Sequence, residues 1–168
     1  MMLKTAGVWI LCGAFVFSLA KPISAADDWP QWGGPRRDLV WREEGIVKTL
    51  PTRGLLPRVW STPIGEGYSG PSVANGRVYI TDFVQKQHIE RIQSLDAQSG
   101  KILWTNRTVG KGAVISAQGH LIVLGEKGEM ALVEATSKAY TEKGRFQALA
   151  SKRAWTPPAL ARGKLYVR

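Results

Sequence analysis

Three stretches of the chain, Ser72–Ile80, Ile115–Val123 and Ala159–Val167, share one order of apolar and polar positions. Each is a small or apolar run, a polar residue with a glycine, a basic residue or histidine, and a β-rich run. The turn glycines Gly76, Gly119 and Gly163 lie 43 and 44 residues apart. A period in that range marks propeller blades or solenoid repeats, in which each unit buries its apolar surface against a neighbour.

The pattern predicts the strands. Gly70 to Ala74 and Arg77 to Asp82 form a hairpin across Asn75-Gly76, a dipeptide suited to the two-residue turn between strands. Val78 and Ile80 alternate with Arg77, Tyr79 and Thr81, which gives two faces. A polar connection from Val84 to Ile89 leads to strands at Glu90 to Leu95 and Lys101 to Thr105. Between them Asp96 can accept from the amides ahead of it, and Gly100 can take positive φ. A second set follows at Ala113 to Ala117, Leu121 to Leu124, Glu129 to Glu134 and Tyr140 to Phe146. Trp155 to Arg168 supplies a hairpin only. Outside the first residues no helical period appears, so the fold class is all-β: about two four-stranded blades and an extra hairpin.

The first residues change the picture of where the chain goes. Lys4 precedes an uncharged apolar run from Ala6 to Ala20, and Lys21-Pro22 and the small residues Ser24-Ala25-Ala26 follow. This is the pattern of a secretory signal peptide cleaved after Ala26, too short for a lasting membrane span. Export to the periplasm or the extracellular space is the expectation. Cys12, the one cysteine, leaves with that segment. The mature chain then has no disulfide, no thiol nucleophile and no cysteine-ligated metal. The organisation reads as signal peptide 1–26, leader 27–60, first blade 61–108, second blade 109–146, and linker with partial blade 147–168. The leader carries Trp29, Trp32, Trp41 and Trp60, large rings expected to pack it on the repeats.

The net charge is +10, from 23 basic and 13 acidic side chains. The basic residues are scattered, whereas nucleic-acid binding needs a focused patch. A solvated basic surface is the reading, with attraction to anionic envelope polymers as a weaker alternative.

Candidate chemistry is sparse. Gly65-Glu66-Gly67-Tyr68-Ser69-Gly70 matches a dinucleotide fingerprint, but a hairpin follows where that motif requires a helix N-terminus. It reads as a glycine-rich loop leading into a blade. His88 and His120 are separated and lack co-ligands at metal-binding spacing. No nucleophile elbow occurs. The carboxylate pairs Asp27/Asp28, Glu43/Glu44 and Glu126/Glu129 fall in loops or turns.

Leu95-Asp96-Ala97-Gln98-Ser99-Gly100-Lys101-Ile102-Leu103-Trp104 resembles the blade-closing signature of quinoprotein-type, PQQ-like β-propeller repeats. In that family an Asp, a Ser/Thr-Gly and a terminal Trp recur in each blade, and the Trp docks between blades. Residues 28–38 resemble the start of secreted bacterial members, 65–71 their first blade and 109–146 their last. The resemblance implies a structural signature of Asp96, Gly100 and Trp104, with the turn glycines Gly76, Gly119 and Gly163. Family propellers have seven or eight blades, so the chain reads as first and last blades joined near residues 104–109, an internal deletion between equivalent edges. Quinoprotein dehydrogenases add a vicinal cysteine pair, an acidic base and a Ca²⁺ site, and no residue here matches those motifs. The expectation is no catalytic residue, no metal and no cofactor. PQQ with calcium enters only under the alternative, a remnant or subunit of a quinoprotein dehydrogenase. Too few blades to close a ring leave open edges, so the expected partner is another protein or a second copy.

Overall fold

The computed structural model describes residues 28–42, 48–49, 52, 57–150 and 153–168. The predicted signal peptide, with Cys12, lies outside the described residues, as do Asp27, Glu43 and Glu44. Ten strands form three antiparallel sheets. The first is the meander β1 (Ser72–Ala74), β2 (Arg77–Val84), β3 (Ile89–Asp96) and β4 (Ile102–Asn106). The second is β5 (Gly112–Ala117), β6 (His120–Gly125), β7 (Glu129–Glu134) and β8 (Glu142–Gln147). The third is the hairpin β9 (Ala159–Ala161) and β10 (Lys164–Tyr166). The chain is all-β, built as propeller blades.

The three repeats share a backbone solution. At the turns, Asn75 and Gly76 have φ 52° and 71°, Gln118 and Gly119 48° and 74°, Arg162 and Gly163 50° and 70°. Two consecutive left-handed residues make the turn whose twist matches that of the strands it joins. The turn carbonyl then ties back the far end of the third strand: Ala97 donates to Gly76 O at 3.0 Å and Ala135 to Gly119 O at 2.9 Å. In both blades the third and fourth strands carry a register shift, between Ser94 and Leu95 and between Leu132 and Val133.

The Val84–Ile89 connection is shorter than its polar sequence suggests. Val84 pairs with Ile89 across the ladder, so both strands extend, and a single 3-10 turn, Gln85–Gln87, closes the loop.

The alternation of β2 separates its two faces, and packing decides which is buried. Tyr79 and Thr81, on the more polar-looking face, are buried, while Val78 and Ile80 are only partly so. The reason is packing between blades. Tyr79, Ile92 and Trp104 meet Val114, Leu121, Val123, Ala131 and Val133 of the second blade in one core. The face of β2 that carries Tyr79 and Thr81 is the one packed on the second blade, so the polarity of alternating residues does not mark the solvent face.

The leader follows the inner edges of the blades. Trp29 exchanges backbone hydrogen bonds with Val73, and Pro30 O accepts from the Ser72 hydroxyl and the Ser116 amide at 2.7 and 2.8 Å. Trp29 stacks on Trp41 at 4.9 Å, and the Trp60 indole donates to Ala97 O at 2.9 Å. Trp32 and Trp41 are nonetheless exposed, so the leader is held by backbone pairing as much as by its rings.

Candidate functional site

Among the described residues three places hold chemistry: the loops at the ends of the innermost strands, a polar cavity between the blades, and the outer face of the second blade. Tyr68, Lys111 and Trp155 each lie eight residues before a turn glycine, at Gly76, Gly119 and Gly163. The repeat brings all three to one small cavity of about 30 Å³, lined also by Thr81, Gly112 and Glu126. Such a volume holds about one water. The Lys111 ammonium is 3.4 Å from a Glu126 oxygen and 4.8 Å from the centre of the Phe83 ring. The Trp155 indole donates to the other Glu126 oxygen at 2.8 Å, and its ring lies 6.0 Å from that of Tyr68. Lysine and glutamate are thus bonded to each other, and the glutamate also to the indole. This cluster was missed because the glycine pattern drew attention to the turns; the shared offset from those glycines is the signal that finds it.

A planar quinone held with a calcium ion requires several oxygen donors converging on the ion. At this cavity the Glu126 carboxylate is already shared between Lys111 and Trp155. Among the described residues no three His, Cys, Asp or Glu side chains gather as ion ligands. The residues lining this cavity do not by themselves supply that donor set.

Of the sequence candidates, His88 and Glu129 line one polar cavity of about 380 Å³ between the blades, with Glu90, Arg107 and Lys127; the others are dispersed. His88 ends the 3-10 turn, and His120 bonds Gln118 O at 3.0 Å within its own hairpin. Glu129 accepts from the Gly110 amide at 3.1 Å and Glu90 from the Lys111 amide at 3.2 Å, so both carboxylates hold the crossover between blades. Asp28 accepts from the Asn75 amide. Gly65 to Gly70 leads into β1 rather than a helix: Glu66 pairs with Phe83, and the Gly65 amide donates to Asp82 at 2.5 Å. Asp82 is buried and ion-paired with Arg91 at 2.7 Å, with Gln93 at 3.3 Å. The sequence reading passed over this clamp because its partners meet only through the β2–β3 register.

Asp96 accepts from the Ser99 hydroxyl at 2.7 Å and from the Ser99 and Gln98 amides at 2.8 and 3.1 Å. These bonds, the hydroxyl's first, hold its carboxyl below the usual range. Gly100, at φ 69°, lies under the Trp60 ring, where a side chain would collide. Trp104 is 7% exposed and its indole donates across the blade boundary to Thr136 O at 2.7 Å. Its ring lies 6.2 Å from Tyr79 and meets Tyr140 of the second blade edge-on at 5.8 Å.

The strand registers define equivalent rows in the two blades. In the first, Tyr79 faces Ser94, which faces Trp104. In the second, Ile122 faces Leu132, which faces Gly144. The first row lies against the second blade. The second row lines an apolar groove of about 350 Å³ with Phe146 and Leu165. Leu132 is 41% and Phe146 60% exposed. Part of this face is covered: Leu165 and Val167 of the third unit pack with Leu124, Met130 and Ala154.

Sheets of four antiparallel strands, stacked face to face at a 43- to 44-residue period, define a β-propeller protein. Residues 88–168, just under half of the chain, match the family described as outer membrane protein assembly factor BamB. Two solved structures have the same fold. The quinohemoprotein alcohol dehydrogenase of Comamonas testosteroni is 17% identical, with a TM-score of 0.63, over 86% of this chain and 23% of that one. The quinohemoprotein alcohol dehydrogenase ADHIIG of Pseudomonas putida HK5 is 16% identical, with a TM-score of 0.51, over 65% of this chain and 18% of that one. The chain therefore spans about a fifth of the length of these relatives. No curated protein matches it. Among the described residues no helix is long and apolar enough to cross a membrane.

Proposed function

We propose that this chain is an exported PQQ-like propeller-repeat module that binds another protein through the outer face of its second blade and catalyses no reaction. The observation that carries this reading is the apolar row Ile122–Leu132–Gly144 beside Phe146, open to solvent where the equivalent row of the first blade is buried. Contiguous exposed apolar surface on a polar-rimmed protein marks an interaction site. The charged groups near the inner strands support the non-catalytic part, since Lys111, Glu126 and Glu90 each make structural bonds. The family description, an outer membrane protein assembly factor, agrees with a scaffold in the envelope. Export rests on the signal pattern in residues 1–26.

The test places a photo-crosslinking phenylalanine analogue at Phe146 in cells. A discrete adduct with a second polypeptide is expected, lost on Leu132→Asp and not formed from the exposed position Tyr68. A folded, exported chain that gives no adduct from position 146 sinks the reading. Mass spectrometry of the mature N-terminus checks export: a chain beginning at Asp27 is expected, and a retained Met1 contradicts it.

A further inference from the structure

The polar cavity of about 380 Å³ opens beside the crossover at Gly110. Its residues come from the two four-stranded blades, so it owes nothing to the third unit. Glu90 of β3 and Glu129 of β7 reach over Gly110 from opposite sheets. A Cβ built at Gly110 would lie 2.5 Å from Glu90 Oε2 and 3.0 Å from Glu129 Oε1. The missing side chain is what lets the two carboxylates converge. Each accepts one backbone amide of the crossover, Glu90 from Lys111 and Glu129 from Gly110. An ionised carboxylate offers about four acceptor sites, so most of this capacity is unused. Glu129 Oε2 is buried and accepts from no donor among the described residues. Leaving a buried acceptor unsatisfied costs free energy that a bound donor recovers. Around the mouth stand His88, Arg107 and Lys127, all exposed and carried by three different loops. The Arg107 and Lys127 side chains make no ion pair or hydrogen bond among the described residues.

We propose that this cavity binds a small zwitterion that carries a primary ammonium and a phosphate. The charge layout calls for both ends. A bare anion would meet the two carboxylates at Gly110, and a bare cation would meet three basic side chains at the mouth. A molecule with both charges satisfies each set. An ammonium presents three N–H donors, enough for both carboxylates, and supplies the donor that Glu129 Oε2 lacks. A phosphate ester presents three acceptor oxygens and more than one negative charge, which suits three basic side chains better than a carboxylate does. The volume falls within the span of small-ligand sites, roughly 300–1,000 Å³. The site lies at the loop ends of the blades, and its occupancy is independent of the protein-binding role proposed for the outer face.

The experiment titrates phosphoethanolamine into the full chain and follows backbone amides by NMR. Saturable shifts are expected at Gly110 and Lys111, whose amides bond the two carboxylates, and none at Gly119 and Ala135 at the other end of the second blade. Phosphocholine, whose quaternary nitrogen has no N–H to donate, and inorganic phosphate are each expected to bind more than tenfold more weakly, a loss above about 1.4 kcal/mol. Glu129→Gln and Arg107→Gln are expected to weaken binding by a similar factor from opposite ends of the ligand. Arg107 is exposed and makes no structural bond through its side chain among the described residues, so its variant serves should Glu129→Gln loosen the crossover. Vesicles containing phosphatidylethanolamine distinguish the source. Cosedimentation that phosphoethanolamine competes away supports a lipid headgroup, and saturable binding without cosedimentation supports a free molecule. Equal affinity for phosphate and phosphoethanolamine, undiminished binding by folded Arg107→Gln, or no shift at Gly110 and Lys111 overturns the proposal.

Discussion

Tyr79–Ser94–Trp104 and Ile122–Leu132–Gly144 occupy the same row of the same kind of blade, yet one is sealed and the other open. The difference is not hydrophobicity. The open row is the more aliphatic, and the sealed one includes two polar hydroxyls and an indole N–H. What seals the first row is a large ring that reaches the neighbouring sheet and has its polar atom satisfied there, at Thr136 O. Buried N–H groups of tryptophan usually find a partner, which makes the residue a directional fastener as well as apolar bulk. The second row has no such ring, and its neighbour approaches through the aliphatic side chains of Leu165 and Val167.

The strongest way to break this contrast is to make the first row like the second. Trp104→Ala removes a buried ring from the inter-blade core, and substitutions of that kind cost about 3–5 kcal/mol. A midpoint shift of that size in urea unfolding is expected, with both blades unfolding together. A loss under about 1 kcal/mol would show that the ring does not join the blades.

Tyr140 tests the same contact through pH. Burial, and next the hydrogen bond donated to Glu142 at 2.6 Å, push its phenol up to about 12. The unfolded phenol titrates near about 10. The folded chain therefore keeps a proton that the unfolded chain loses, so this contribution is complete below pH ~10 and declines as pH rises toward ~12. Urea unfolding across that window is expected to show a fall in stability that Tyr140→Phe reduces. An identical slope in the variant would refute the assignment.

The smallest expected effect lies away from both rows, in the hairpin turns. Gln118 takes the left-handed conformation that Asn75 takes in the first repeat, and asparagine tolerates it better than longer side chains. Gln118→Asn is expected to stabilise the chain by about 0.5 kcal/mol, since the turn is exposed and nothing else changes. Destabilisation would mean that the Gln118 side chain has a role of its own, independent of either blade face.

Much of the blade was legible in the residues. Asn75-Gly76, Gln118-Gly119 and Arg162-Gly163 announce their turns because two left-handed residues in succession restrict the choice of side chains. Asp96 to Trp104 announces the end of a blade because the Asp-capped turn and the docking ring are local to one strand pair. The buried face of β2 was not legible. Period-2 alternation separates two faces, and only the stacking of the second blade on the Tyr79 side decides which of them is buried. The Asp82–Arg91 clamp and the convergence of Tyr68, Lys111 and Trp155 were equally hidden. The clamp joins residues nine apart, on facing strands, and the convergence joins residues more than forty apart.

The sequence by itself determined the unit: its period, its four strands, its turns and the ring that closes it, all set by short-range backbone preference and local pairing. Only the tertiary structure decided which ring met a partner. Trp104 finds Tyr140 and the Thr136 carbonyl because the second sheet stacks on the first. Gly144 lies over an open groove because its position becomes equivalent to Trp104 only when strand registers are compared, and a register is a property of paired strands rather than of either strand alone.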